Sequence, residues 1–329
     1  MASSLTILLS RTAWRSPLER PRRPATVPNS PSPMVRPSRP SSLTAAVCVV
    51  WAALCLMLPA VVAAHQDLSD RIAELTKEIA RHPKNAALYL KRGELHRLHG
   101  EWDAASADYD RATQLAPDLV AVDLARGDML LAAGRLPAAK IALDRFLTKQ
   151  PEHAVGLVLR ARVLTQLGQH VAAAADFTRA IAHEPDPLPE HYLERAQALA
   201  AEGEGHLDEA LGGLDEGIQK LGPLVVLELL AIDLELRKKN YDAALTRLEQ
   251  VAAQSQRKEE WLVRRGEILE QAGRAEEAHA AFMQAQAAIE SLPPAIGQTT
   301  AMTELEARLR AALERQAAEL GKKGPGEQQ

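Results

Sequence analysis

From Gln66 onward, apolar and small residues recur in amphipathic stretches of roughly a dozen residues, the length of a short helix. A Gly falls between the two stretches of a pair, where a helix end needs positive φ, and a Pro follows the second stretch, where a helix must stop. No stretch has the alternation of a strand. Pro83, Pro117, Pro151 and Pro185 stand 34 residues apart, and the positions between them return in phase. Tyr89, Gly93, Gly100, Trp102, Ala105, Tyr109, Ala112 and Pro117 become Asp123, Gly127, Gly134, Leu136, Ala139, Leu143, Phe146 and Pro151 one period later. The next period gives Leu157, Ala161, Gly168, His170, Ala173, Phe177, Ala180 and Pro185. Such a strict period marks a stacked array, because one helix pair cannot bury its own apolar face and a stack can. Gly93 and Ala105 fall inside helices, where Gly costs roughly 1 kcal/mol against Ala, so a close approach of two helices is expected there. Tyr109, Leu143 and Phe177 are expected to fill the space between helices, and Asp118, Glu152 and Asp186 to sit near helix starts, where they suit the dipole.

These residues resemble the tetratricopeptide repeat, a helix-turn-helix unit of this length. The resemblance implies an all-α fold: a right-handed superhelical solenoid of antiparallel helix pairs, with about six repeats and a capping helix at each end. Residues 66–82 fit the second half of a unit, with Leu75 at the position of Tyr109. After Pro185 the phase slips by one residue before Ala196 and by two more near Gly203 and Gly205. Repeat four then spans 190–220, with Leu207, Ala210 and Leu214. Repeat five, 223–255, keeps Tyr241, Ala244 and Leu248 but lacks both Gly and the closing Pro. Repeat six, 259–290, recovers Gly266, Gly273, Ala278, Phe282 and Ala285. Pro293, Pro294 and Gly297 break the chain before a last helix, 300–320, whose apolar face carries Met302, Leu305, Leu309, Leu313 and Leu320. The solenoid is expected over 65–320, followed by a flexible tail over 321–329.

The first 64 residues differ in kind. Residues 1–42 hold seven Arg, one acid (Glu19) and eight of the 20 prolines, a composition expected to be disordered. Residues 43–64 are an almost unbroken apolar run ending in small residues, which reads as an export signal. A start at Met34 would give that signal ordinary length, with Arg36 and Arg39 ahead of the run and cleavage after Ala64. An uncleaved membrane anchor is the alternative, since a run of this length also spans a bilayer. Either reading puts the bulk of the protein outside the cytoplasm, periplasmic or secreted in a bacterial envelope. An organelle transit peptide ranks third, because the apolar core is too strong for one. Cys48 and Cys55 lie inside the run, so a cleaved product has no cysteine and no thiol chemistry. Cleavage would remove seven Arg and one Glu from 39 basic and 43 acidic residues, leaving a formal charge of −10, which disfavours nucleic acid.

No nucleotide loop, zinc-protease helix or nucleophile elbow is present, so no enzyme and no cofactor are expected. His96 and His99 are one helical turn apart but lack an evident third ligand. His65 would become the N-terminus after cleavage and could chelate copper there; an accident of the cleavage site is the plainer reading. What remains is a binding surface. With Gly93 counted as slot eight of its unit, the resemblance implies that slots five and nine face the groove of the superhelix. Slot five holds Leu90, Leu124, Val158, Leu193, Leu229 and Val263; slot nine holds Glu94, Asp128, Arg162, Gln197, Asp233 and Glu267. Family members that clamp acidic chaperone tails use Lys and Asn at these slots, and this sequence departs from that pattern in every repeat. An apolar stripe bordered by acids suits an amphipathic or basic segment of a protein partner. The alternative for slot five is ordinary core.

Overall fold

A computed structural model describes residues 67–322. The segments expected at 1–42 and 43–64, together with His65 and residues 323–329, lie outside the described residues. The helices run α1 (67–81), α2 (Ala86–Leu98), α3 (Trp102–Leu115), α4 (Ala121–Ala132), α5 (Leu136–Lys149), α6 (Ala154–Gln166) and α7 (His170–His183). They continue with α8 (Pro189–Glu202), α9 (Leu207–Leu221), α10 (Val225–Arg237), α11 (Tyr241–Gln254), α12 (Glu259–Gln271), α13 (Ala275–Glu290), α14 (Pro294–Gly297) and α15 (Thr300–Lys322). From α2 to α13 they pack as antiparallel pairs, and the second helix of each unit also touches the first helix of the next. First helices meet along the stack as well, α2 with α4, α4 with α6 and α8 with α10. The all-α solenoid expected from the period is the fold observed.

The phase of small and large residues explains the pairing. Tyr109, Leu143, Phe177, Leu214, Leu248 and Phe282, at one slot of the second helix, are all buried. So are the small residues one turn ahead of them, Ala105, Ala139, Ala173, Ala210, Ala244 and Ala278. A Cβ added to Gly93 would lie 2.5 Å from Cε1 of Tyr109, and one on Gly127 would lie 2.5 Å from Cγ of Leu143. The missing side chain in the first helix is therefore the seat of the large one in the second. The buried side chains form three clusters along the chain, Leu124 lying beside both the first and the second. Stability is accordingly distributed between neighbours.

The turns vary along the chain. Asp118, Glu152 and Asp186 lie in the turns two or three residues ahead of α4, α6 and α8, near the helix starts as expected, and two helices carry a side-chain cap. Asn85 accepts from the Ala87 amide at 3.1 Å, and the His153 ring accepts from the Gly156 amide at 3.2 Å. In the fifth unit Lys239 occupies the turn slot that Gly100 fills in the first, and takes φ 58°, a left-handed conformation that costs an L-residue roughly 1–2 kcal/mol. At the phase slip a short 3-10 turn, Glu204–His206, absorbs the extra residues. The Pro-rich break before the last helix contains the single turn α14, and α15 runs two residues further than expected.

Two outcomes follow for stability. Ala139 has no exposed surface, so Ala139→Trp should lower unfolding free energy by at least ~1–3 kcal/mol through overpacking; an unchanged melting temperature would contradict the register. Lys239→Gly should raise stability by about 1 kcal/mol in denaturant titration by relieving the left-handed strain, and a lower midpoint would contradict the turn assignment.

Candidate functional site

Slots five and nine are one turn apart on the first helix of each unit and so share a face. Leu90 in α2, Leu124 in α4, Leu193 in α8 and Leu229 in α10 are half-buried at the edges of the core clusters. Val158 in α6 and Val263 in α12 are 4% and 0% exposed, which makes them core, the alternative expected for this slot. Their shorter, branched side chains end below the surface that the leucines reach.

Slot nine carries charge, but that charge is answered from within the chain. Glu94 accepts from Arg97 Nε at 3.0 Å and from the Tyr109 hydroxyl at 3.1 Å, and Arg97 also reaches Asp128 at 3.2 Å. Arg162 donates to Glu194 through Nε at 2.9 Å and Nη2 at 3.0 Å. Asp233 accepts from Arg264 at 2.5 Å, and Glu267 from Arg308 of α15 at 2.9 Å. Gln197 is exposed. These pairs tie α2 to α4, α6 to α8, α10 to α12 and α12 to α15. Half-exposed pairs are worth at most about 1 kcal/mol each, so their effect is to fix how neighbouring first helices sit and to cancel charge along the groove. The acids expected to attract a basic segment are already paired.

The predicted residues gather in two places. Arg162 and Gln197 line a cleft of about 190 Å³ with Leu131, Thr165, Gln166 and Glu194, where α4, α6 and α8 converge. Leu90 and Glu94 line a larger one, about 770 Å³, between α1 and α2. Leu124 and Asp128 line neither.

A second set of residues was not singled out from the sequence. Slot seven is Arg in five units, and each of these arginines crosses to a second helix. Arg92 makes a two-pronged pair with Asp108 at 2.8 and 2.6 Å, and Arg160 does the same with Asp176 at 2.6 and 2.7 Å. Arg160 reaches back to Asp144 at 2.9 Å as well, joining two units. Arg126 pairs with Asp110 at 2.8 Å, Arg195 with Glu216 at 2.8 Å and Arg265 with Glu249 at 3.0 Å. In the fifth unit slot seven is Ala231, and Arg247 of α11 crosses in the opposite sense to Glu228 at 3.4 Å and Asp215 at 2.8 Å. The signal in the sequence is Arg directly before the small slot-eight residue, as in Arg92-Gly93, Arg126-Gly127 and Arg160-Ala161. Two exposed valines, Val155 and Val226, open the first helices of units three and five.

His96 and His99 do not stand free for a metal: their Nδ1 atoms lie 2.5 and 2.9 Å from the two carboxylate oxygens of Glu101. Those bonds, that from His96 foremost, hold the Glu101 carboxyl below its usual range. Among the described residues no group of three or more His, Cys, Asp or Glu is arranged to hold a metal ion.

The arginine crossings are open to test. Asp176 is 4% exposed and keeps only the longer 3.6 Å pair with Arg179 when Arg160 is removed, so Arg160→Met should cost about 3 kcal/mol by breaking a buried pair; a loss below ~1 kcal/mol would make the crossing incidental. Burial pushes the Asp144 carboxyl up, but bonds from Lys140 and Arg160 outweigh it and hold the group below the ordinary carboxylate range. Its contribution is complete above the unfolded value of roughly 3.9 and is lost as pH falls through the folded value. Asp144→Asn should therefore flatten the acid limb of the stability curve below about pH 4, and an unchanged limb would contradict the pairing.

The fold agrees with comparisons to known proteins. The tetratricopeptide repeat family model matches residues 64–120, 124–189 and 229–293, more than half of the chain. The C-terminal part of a TPR repeat-containing protein from Cytophaga hutchinsonii is similar over 71% of this chain and 95% of its own, with a TM-score of 0.56 and 15% identity. A tetratricopeptide repeat protein from Parabacteroides merdae covers 74% of this chain and 93% of its own at 20% identity and a TM-score of 0.46. YrrB, described as a TPR protein with an unusual peptide-binding site, covers 54% and 91% at 23% identity and a TM-score of 0.47. At such identities the likeness is one of fold. Comparison with curated protein sequences finds no match. The chain therefore belongs to the tetratricopeptide repeat family, whose members are protein-protein interaction scaffolds and typically non-catalytic.

Proposed function

We propose that this protein is an exported scaffold that holds an amphipathic segment of a protein partner along the face formed by its first helices. One observation carries the reading. On that face the charged slots are satisfied internally, while apolar side chains stay partly open. Leu90, Leu124, Leu193 and Leu229 are half-buried, and Val155 and Val226 are 54% and 53% exposed. Those valines precede Val158 and Leu229 by three residues, which places them on the same side of their helices. A helix laid in such a groove anchors through apolar residues at i, i+3 and i+4 and gains little from acids already paired. An uncharged groove selects an amphipathic segment over a basic one.

Export rests on the sequence: the apolar run at 43–64 with arginines before it, and an acidic remainder after it. The periplasm or the exterior is the compartment this supports, with a retained anchor as the second reading. The N-terminal residue of the mature chain separates them, since cleavage leaves His65 first.

Selection of a displayed random peptide library on the immobilised chain tests the groove. The expected result is enrichment of peptides with apolar residues at helical spacing, and loss of their binding in Val155→Glu/Val226→Glu at unchanged melting temperature. Basic peptides without apolar anchors, or binding that survives the double substitution, would contradict the reading.

A further inference from the structure

The two ends of the stack are incomplete in complementary ways. The array opens with α1, which occupies the place of a second helix; Leu75 sits at the slot that Tyr109, Leu143 and Phe177 use to fill their own first helices. Among the described residues there is no first helix for it to fill. A cleft of about 770 Å³ lies there, against α2, floored by Leu75, Leu90, Leu95 and Leu98. Leu98 is 57% exposed. At the other end α15 lies on α12 and α13 as the first helix of a seventh unit would. Beside it, against α13, is a second cleft of about 510 Å³ floored by Ile289, Leu309 and Leu313, where that unit's second helix belongs. One end lacks a first helix and offers a second; the other lacks a second and offers a first.

We propose that two copies of this chain associate head to tail, the α15 of one completing a unit with the α1 of the next. The chain's own sequence is poorly suited to either vacancy. A helix in register one period ahead of α2 would carry Pro59 at slot eight, where proline removes a backbone bond and costs roughly 3 kcal/mol. Beyond α15 the sequence reads Gly324, Pro325 and Gly326, residue types that disfavour a further helix. The charges at the two rims also match. Arg71 and Lys91 at the front answer Glu306 and Glu314 at the rear, and Arg310 at the rear answers Glu74 and Glu78 at the front. Such a contact is heterologous, so it leaves one front and one rear open and can extend further.

Sedimentation velocity of the purified full chain over a range of concentrations tests this, using one variant for each end. Leu98→Arg blocks the front and Ala317→Arg the rear. Both positions are exposed, and thermal melts confirm that each variant is folded. The expected results are concentration-dependent mass above one chain for the unaltered protein and a monomer for either variant alone. An equal mixture of the two variants should stop at a dimer, because one intact front and one intact rear remain. A monomer at every concentration would overturn the proposal and leave the clefts to residues outside 67–322 or to another partner. Loss of association in Leu98→Arg but not in Ala317→Arg would replace it with a front-to-front dimer. Association indifferent to both variants would locate it elsewhere, the apolar run included. Peptide capture by Val155 and Val226 is a separate reading and survives any of these outcomes.

Discussion

The structure depends on one contact repeated down the chain: a large side chain on the second helix of a unit packed against slot eight of the first, which is Gly in the first, second and sixth units, Ala161 and Ala196 in the third and fourth, and Ile232 in the fifth. Gly93 receives Tyr109, and Gly127 receives Leu143, with no room for a Cβ between them. This sets the distance between the paired helices, and that distance sets how much of each unit's flank is left for the next unit. A period of 34 residues is the length of two such helices and their two turns. Because every unit buries a large residue of its second helix against its first, the core is divided into successive clusters with no single centre, and each helix answers mainly to its neighbours.

The arginines add direction to a packing that is otherwise apolar and non-specific. Arg160 holds Asp176 in its own unit and Asp144 in the unit before, so one side chain fixes both the pairing and the stacking. The Arg162 and Glu194 pair spans the place where the period slips, joining α6 to α8 across the extra residues. Ion pairs of this kind contribute less to stability than the apolar seats do, and a buried one is costly mainly when broken. Their consequence is electrostatic: along the first helices the charges of slot nine are answered by side chains of the same chain.

The seats were legible in the sequence because they are apolar and periodic. Ala105, Tyr109 and Ala112 with their counterparts gave the register, and even the degraded fifth unit kept it through Ala244 and Leu248. The arginine crossings were not, because an arginine on an amphipathic helix reads as solvated surface until its partner sixteen residues away is known to lie opposite. Slot five is divided in the structure: the leucines are half-buried, and the valines at 158 and 263 are buried, a difference that the shared apolar character of the slot did not show.

A double-mutant cycle on Gly127 and Leu143 tests the seat itself most directly. Gly127→Ala alone should destabilise by overpacking against Leu143. In a Leu143→Ala background the added methyl meets open space, and the same substitution should be neutral or stabilising, since Ala favours the helix over Gly by roughly 1 kcal/mol. A coupling of at least ~1 kcal/mol in denaturant unfolding is the predicted result. Additive effects would mean that the two residues do not share a contact, and that something other than this seat sets the spacing of the helices.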